Sequence, residues 1–372
     1  MIELQEVKTK KELKAFVTFP FQLYKNSKYW VPPIISDEME TLSADKNPAF
    51  ESAEARFFIA FKNQNMVGRV AAIINTIEIN EQQVKKMRFG WFDAIDDINV
   101  SKALLNKVED IGKEHQLEFV EGPVGFSNLD KNGALTEGFD HIGTMATWYN
   151  HPYYIEHFKT LGYSPEKVYI ESKFKVDEVP TERFTRVADI VKKRFNLWSS
   201  NFTKTSEVIP HVDDMFALFN ESYKELPTYV PITKKQQAYF KKKFINFIDP
   251  EYIKFVFDKD NNMIAFAIVL PSFSEALQQI KGKLFPFGFL KLLKAKKHNK
   301  TALLYLIGVD PTYQSKGVTA IIFKDIYDVF VKKNIETCIR LPELEDNLAE
   351  QQIWKDFNSE IIKRRKTFKK LI

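Results

Sequence analysis

Residues 309–323 read VDPTYQSKGVTAIIF. An apolar run ends at Pro311, which cannot donate into a sheet. Gln314-Ser315-Lys316-Gly317-Val318-Thr319 then leads directly into a second apolar pattern with helical spacing. The first turn of a helix carries unpaired N–H groups and a partial positive charge, so a pyrophosphate fits there. Gly317 lets the backbone approach a phosphate closely, and Lys316 adds a mobile positive charge. The chemistry expected here is the holding of a phosphorylated ligand. The stretch matches neither G-x-G-x-x-G nor G-x-x-x-x-G-K-[ST], the two familiar nucleotide loops.

A second polar, glycine-bearing stretch is EGPVGFSNLDKNGALTEGF, residues 121–139, with Asn128, Asp130 and Glu137. It reads either as a tight-turn loop after a strand or as a substrate loop on a rigid scaffold, and the sequence does not choose. Other reactive side chains are sparse. The single cysteine, Cys338, excludes an internal disulfide and sits in IETCIRL, where a buried inert thiol is expected. The six histidines are scattered, without H-E-x-x-H or Cys/His spacing, so no metal site is expected.

Alternating strands and helices must position these residues. The N-terminal MIELQEVKTKKELKAF reads as a strand and a helix, with a turn at Pro32-Pro33. ARFFIAFKNQNMVGRVAAIIN is a hairpin around Lys62–Asn65. MRFGWFDAI is a strand, VSKALLNKVEDIGKEHQ a helix, LEFVEGPVGF a strand, HPYYIEHFKTLGY a short helix and VYIESKFKV a closing strand. The second half repeats that order. VDDMFALFNESYKEL and KKQQAYFKKKFINFI are helices, and EYIKFVFDKDNNMIAFAIVLP is a hairpin. TALLYLIGVDP is a strand, and VTAIIFKDIYDVFVKKN is a helix with Val318, Ile321, Ile322, Ile326, Val329 and Phe330 in one stripe. IETCIRLPE is a strand, and NLAEQQIWKDF opens a last helix. The halves share this order without a residue-level repeat, and the shared order suggests two related α/β domains, 1–176 and 177–372, each with a mixed sheet flanked by helices.

The length of 372 residues suits two domains. No signal-peptide pattern and no run of 18 apolar residues is present, so an integral membrane protein is not expected and a cytoplasmic location is. Net charge is +5, with basic clusters at 241–243, 291–300 and 361–370 that read as solvated helix faces or as attraction for an anionic cofactor, an acidic carrier protein or a membrane surface. No nucleic-acid motif accompanies them. KGKLFPFGFLKLLKAKKHNK, residues 281–300, combines apolar residues with flanking lysines. It reads as a helix packed on its domain with a basic exposed face, or as a lid or interfacial anchor for lipid.

The loop Gln314–Thr319 resembles the acyl-CoA loop of the GNAT N-acetyltransferase superfamily, whose pattern is Gln or Arg, two residues, Gly, one residue, then Gly or Ala. Gln314 and Gly317 match, and Thr319 replaces the usual small residue. The resemblance implies that Gln314, Ser315, Lys316, Gly317, Val318 and Thr319 hold the pyrophosphate. It also implies that the strand bearing Ile307 and Val309 hydrogen-bonds the pantetheine arm. Downstream, Asn347 matches a superfamily asparagine, and Trp354 stands where a tyrosine often protonates the departing thiolate. An indole is a far poorer acid. The corresponding stretch of the first half, FDAIDDINVSKALLNK, has no glycine and carries Asp93, Asp96 and Asp97, so only the C-terminal domain is expected to hold CoA. The whole chain is similar to a group of bacterial tandem GNAT-like proteins through YWVPP, VGRVAAIIN, EGPVGFSNLDKNGALTEGF, NHPYYIEHFKTLGY and GVDPTYQSKGVTAIIF.

The implied reaction is acyl transfer from acetyl-CoA or another acyl-CoA to the primary amine of a small molecule. It needs a base for the amine, a donor for the oxyanion and a proton for the thiolate. Glu343 is a candidate base, with Glu345 beside it, and Tyr305 or Tyr313 a candidate acid in place of Trp354. Asn128 and Glu137 are candidate substrate residues. Two alternatives stand beside this reading. One is a long-chain acyl-CoA or acyl-carrier-protein donor that makes an acyl amino acid or lipid; the other is a non-catalytic acyl-CoA-binding protein. The oligomeric state is left open.

Overall fold

The computed structural model describes residues 1–127, 129–226, 229–245, 248–347, 354 and 357–372. Two compact units divide the chain: Met1–Ile170 with Phe273–Leu293 and Ile362–Ile372, and Glu171–Ser272 with Lys294–Ile361. The strands are β1 (Ile2–Glu6), β2 (Ala53–Lys62), β3 (Asn65–Asn75), β4 (Lys86–Ala94), β5 (Phe119–Gly122), β6 (Ala134–Glu137), β7 (Ser164–Lys175), β8 (Trp198–Ser199), β9 (Ile253–Phe257), β10 (Met263–Pro271), β11 (Thr301–Val309), β12 (Thr337–Leu344) and β13 (Glu360–Leu371).

In the first unit the sheet order is β1-β2-β3-β4-β5-β13-β7, and β6 pairs with β13. The β2–β3 hairpin turns on Asn63 and Gln64, both at positive φ, as a tight two-residue turn requires. The helix Ile98–Glu114 buries Val100, Leu104, Leu105, Val108 and Ile111 in a core shared with Phe58, Met87, Phe89 and Phe158. This interior also holds ions. Glu78 lies 2.6 Å from Lys86 and 2.7 Å from Arg88, and Glu121 lies 2.7 Å from Lys167, all with little exposure.

In the second unit the order is β7-β12-β11-β10-β9-β8, with β7 entering from the first unit at Glu171. The helix Thr319–Lys332 lays Ile321, Ile322, Ile326, Val329 and Phe330 into a core with Val256, Ala267 and Leu304. All six residues of the stripe read from sequence are buried.

The basic run at 361–370 is not a helix face. It forms β13, which pairs antiparallel with β5 through Phe368↔Gly122 and with β6 through Arg365↔Leu135. Its inward cations satisfy backbone carbonyls. Lys363 Nζ donates to Ile142 O at 2.9 Å and Arg365 Nη1 to Trp148 O at 2.6 Å. Buried cations paired in this way look, in sequence, like a solvated charge run. The helix Thr181–Phe195, which buries Ala188 and Val191, is not among the elements expected from sequence.

Candidate functional site

β11 and β12 run parallel from Thr301↔Thr337 to Leu304↔Arg340, where their pairing stops. Opposite, the register between β10 and β11 shifts between Ile268↔Leu306 and Val269↔Leu304. Tyr305 is therefore the extra residue of a bulge, at the point where β11 leaves β12. From there to Val309, β11 keeps β10 as its partner. Tyr305, Ile307 and Val309 are half-buried along this segment. Tyr223, at the end of the helix Val212–Tyr223, donates its hydroxyl to Ile307 O at 3.0 Å. Nothing in its spacing marked Tyr223 as part of this strand edge.

Beyond Val309 the chain turns sharply. The Asp310 carboxylate accepts the Thr312 N–H at 2.8 Å and caps the short turn Pro311–Tyr313. Ser315 takes φ 60 and Gly317 φ 78, and helical geometry begins at Val318. At Gly317 the positive φ favours glycine, and a Cβ would sit 3.3 Å from Val191 Cγ2, a tight contact. No side chain caps the helix Thr319–Lys332. The N–H groups of Ser315, Gly317, Val318 and Thr319 have no acceptor among the described residues. Gln314, Ser315 and Lys316 are exposed, and Gln314 Nε2 lies 3.5 Å from Val309 O. Lys316 Nζ rests over the rings of Tyr313 at 4.9 Å and Phe195 at 5.5 Å, which holds its charge beside the loop. Burial, with Asp258 and Asp310 nearby, pushes the Tyr313 hydroxyl above its usual range.

Thus Tyr305, Ile307, Val309 and Gln314–Thr319 lie on one continuous strand, loop and helix start. Glu343 lies three residues past the last β11–β12 rung; it is buried, and its Oε1 is 3.0 Å from Arg340 Nη1. Asn347 donates its backbone N–H to Leu344 O at 3.1 Å. Trp354 lies in the core, 4.7 Å from Phe323 and 5.1 Å from Phe357, with the Arg340 guanidinium 4.6 Å from its ring. Its Nε1 is buried without a hydrogen-bond partner among the described residues. Cys338 is buried as expected, and burial pushes its thiol up to about 12. Among the described residues no cluster of His, Cys, Asp or Glu suits a metal ion.

The stretch 121–139 lies in the first unit and is folded on itself. Gly125 N donates to Lys131 O, Gly133 N to Pro123 O, and the half-buried Asp130 carboxylate accepts from Ser127 N at 2.8 Å. Glu137 is ion-paired to Arg364 at 2.6 Å. Asn128 lies outside the described residues.

Comparison with known proteins fixes the fold. No family model matches the chain. It is 28% identical over 370 residues to Protein YghO of Escherichia coli K12, covering 98% of this chain and 94% of that one. It is 26% identical over 315 residues to the bacterial ceramide synthase of Caulobacter vibrioides, covering 83% and 80%. Among solved structures it is similar to a tandem GNAT protein from the clavulanic acid biosynthesis pathway. The TM-score there is 0.58 at 10% identity, over 100% of this chain and 98% of that one. The chain has the tandem GNAT fold.

Proposed function

We propose that this chain is an acyl-CoA-dependent N-acyltransferase whose donor site is built by β11, the loop Asp310–Val318 and the start of the helix Thr319–Lys332. The observation that carries the reading is the uncapped helix start beside Gly317 at φ 78. Four N–H groups without acceptors there suit a diphosphate, and Lys316 adds charge. The edge of β11 from Tyr305 to Val309 suits an extended, amide-bearing arm, by the logic of adding a strand to a sheet.

A CoA thioester supplies the acyl carbonyl. The acceptor amine forms the C–N bond as the C–S bond breaks; the amine loses a proton and the thiolate gains one. We assign thiolate protonation to Tyr305, at the bulge. Glu343, held by Arg340 past the last rung, is assigned to the amine. Backbone N–H groups of β11 are the candidate oxyanion donors. Trp354, enclosed in the core, is given no proton. We place the reaction in the cytoplasm, where CoA thioesters are made.

A small primary amine with acetyl-CoA is the simplest pairing. The relative called a bacterial ceramide synthase supports a second one, because a ceramide is a long-chain amine carrying a fatty acyl amide. In that pairing the donor is a long-chain acyl-CoA, or the same acyl group on a carrier protein, and the acceptor is a lipid amine.

Calorimetric titration of CoA, acetyl-CoA and palmitoyl-CoA into wild type, Gly317→Asn and Gly317→Asp tests the site. Asparagine and aspartate tolerate positive φ about equally, so the two variants differ mainly in charge. The expected result is binding by wild type and Gly317→Asn, and a loss of about a hundredfold in Gly317→Asp. Equal binding by both variants would remove the loop from the donor site. Thiol release with acetyl or palmitoyl donors, against small amines or a long-chain amino alcohol, then separates the two pairings. Release with none of them would leave a binding protein.

A further inference from the structure

The segment Lys281–Leu293 of the first unit presents apolar side chains to solvent in a fixed geometry. Phe285 is 75% exposed and Phe287 72%, and they flank Pro286 in a turn. Phe289, Leu290 and Leu293, on the helix Gly288–Lys297, are exposed as well. At ~100° per residue these three span roughly 100° of that helix, while Leu292, on another side, is buried.

The tip is held from beneath. Gly282 O accepts the Ile35 N–H at 3.0 Å, and a Cβ at Gly282 would sit 2.5 Å from Phe21. A Cβ at Gly288 would sit 2.2 Å from Lys283 O, so the turn closes tightly on the helix. The two outermost phenylalanines are thus set on an anchored turn, away from the core that their composition would seek.

Charge identifies what covers them. Lys281, Lys283 and Lys291 are exposed around this tip. From Lys281 to Lys300 the sequence contains no acidic residue. An apolar tip whose own segment carries cations and no carboxylate repels a second copy of itself and complements a surface of anionic headgroups over acyl chains. Among the described residues no helix is long and apolar enough to cross a membrane, so contact would be with one leaflet.

We infer that Phe285–Leu293 is an interfacial anchor that docks the protein on an anionic lipid surface, with Phe285 and Phe287 entering the acyl region and Lys281, Lys283 and Lys291 meeting the headgroups. The inference does not rest on the acyl-transfer reading; it needs neither donor nor acceptor.

The test is flotation of the full chain with vesicles of phosphatidylcholine alone or mixed with phosphatidylglycerol, without CoA or amine. Wild type should float with the anionic vesicles, less so as salt rises, and stay behind with phosphatidylcholine. Phe285→Ser/Phe287→Ser should weaken partition by about tenfold or more. Lys283→Gln/Lys291→Gln should weaken it by about thirtyfold, at about fivefold per lysine, on anionic vesicles only. All four positions are exposed, so both variants should keep the wild-type melting temperature. Wild type that fails to float, or a Phe285→Ser/Phe287→Ser variant that floats as wild type does, overturns the inference. So does a wild-type dimer that this variant dissolves, since the occupant would then be a second copy. None of these results bears on the CoA titration.

Discussion

At the start of the helix Ile98–Glu114 in the first unit, the Asp97 carboxylate accepts the Asn99 N–H at 3.0 Å and pairs with Lys62 at 2.7 Å. At the start of the helix Thr319–Lys332 in the second unit no side chain plays that part. The strands before them differ in the same sense. Ala94, at the end of β4, gives its N–H to Tyr154 Oη at 2.9 Å and accepts from Tyr153 Oη at 2.7 Å. β11 runs on beyond its last rung with β12, where side chains reach two of its carbonyls, Tyr223 at Ile307 O and Gln314 at Val309 O. Both units build a strand, a crossing and a helix. One closes the crossing with its own carboxylate and tyrosines, and the other leaves donors facing outward. A helix start whose charge is already answered by a carboxylate is closed to an anion, and one without such a cap is open to it.

The buried ions of the first unit give the largest expected effect. Glu78→Ala leaves Arg88 buried without its carboxylate and Lys86 with Glu121 alone, 3.5 Å away, and should cost about 3–5 kcal/mol in denaturant melts. A cost below about 1 kcal/mol would mean that water reaches this cluster.

A smaller effect addresses the helix starts directly. Asp97→Ala should cost about 1 kcal/mol of cap energy. CoA stoichiometry in calorimetry should stay at one per chain. Two sites per chain, in wild type or variant, would break the contrast between the crossings.

The smallest effect is a pH dependence at the surface of the first unit. The Arg56 guanidinium holds the Glu6 carboxyl down to about 2, from an ordinary 4.5. Lys62 lowers the Asp97 carboxyl as well. A carboxyl lowered by folding stabilises the native state above its unfolded pKa, and that contribution is lost as pH falls toward the folded value. Stability should therefore decline between pH 4.5 and about 2. Glu6→Gln should flatten the decline by about 1 kcal/mol or less, because the pair is partly exposed. An unchanged slope in Glu6→Gln would assign the acid sensitivity to other groups.

The amino-acid sequence determined the local elements. Period-two and period-3.6 patterns gave the two hairpins and the helix stripe Val318–Phe330, all as observed, because burial of one face is written into residue order. Gly317 stood out in the sequence as a place for close approach of a phosphate, whereas its φ of 78 is seen only in the structure. Partnerships between distant residues were not legible. Only the tertiary structure places β13 against β5 and β6, sets its cations on the carbonyls of Ile142 and Trp148, and ties Glu137 to Arg364. It alone encloses Trp354 among Phe174, Phe323 and Phe357, pairs Glu343 with Arg340 and brings Tyr223 to Ile307 O. Charge and aromatic residues carry no mark of their partner in their own neighbourhood. Whether a lysine is solvated or a tryptophan catalytic is decided by what the rest of the chain packs against it.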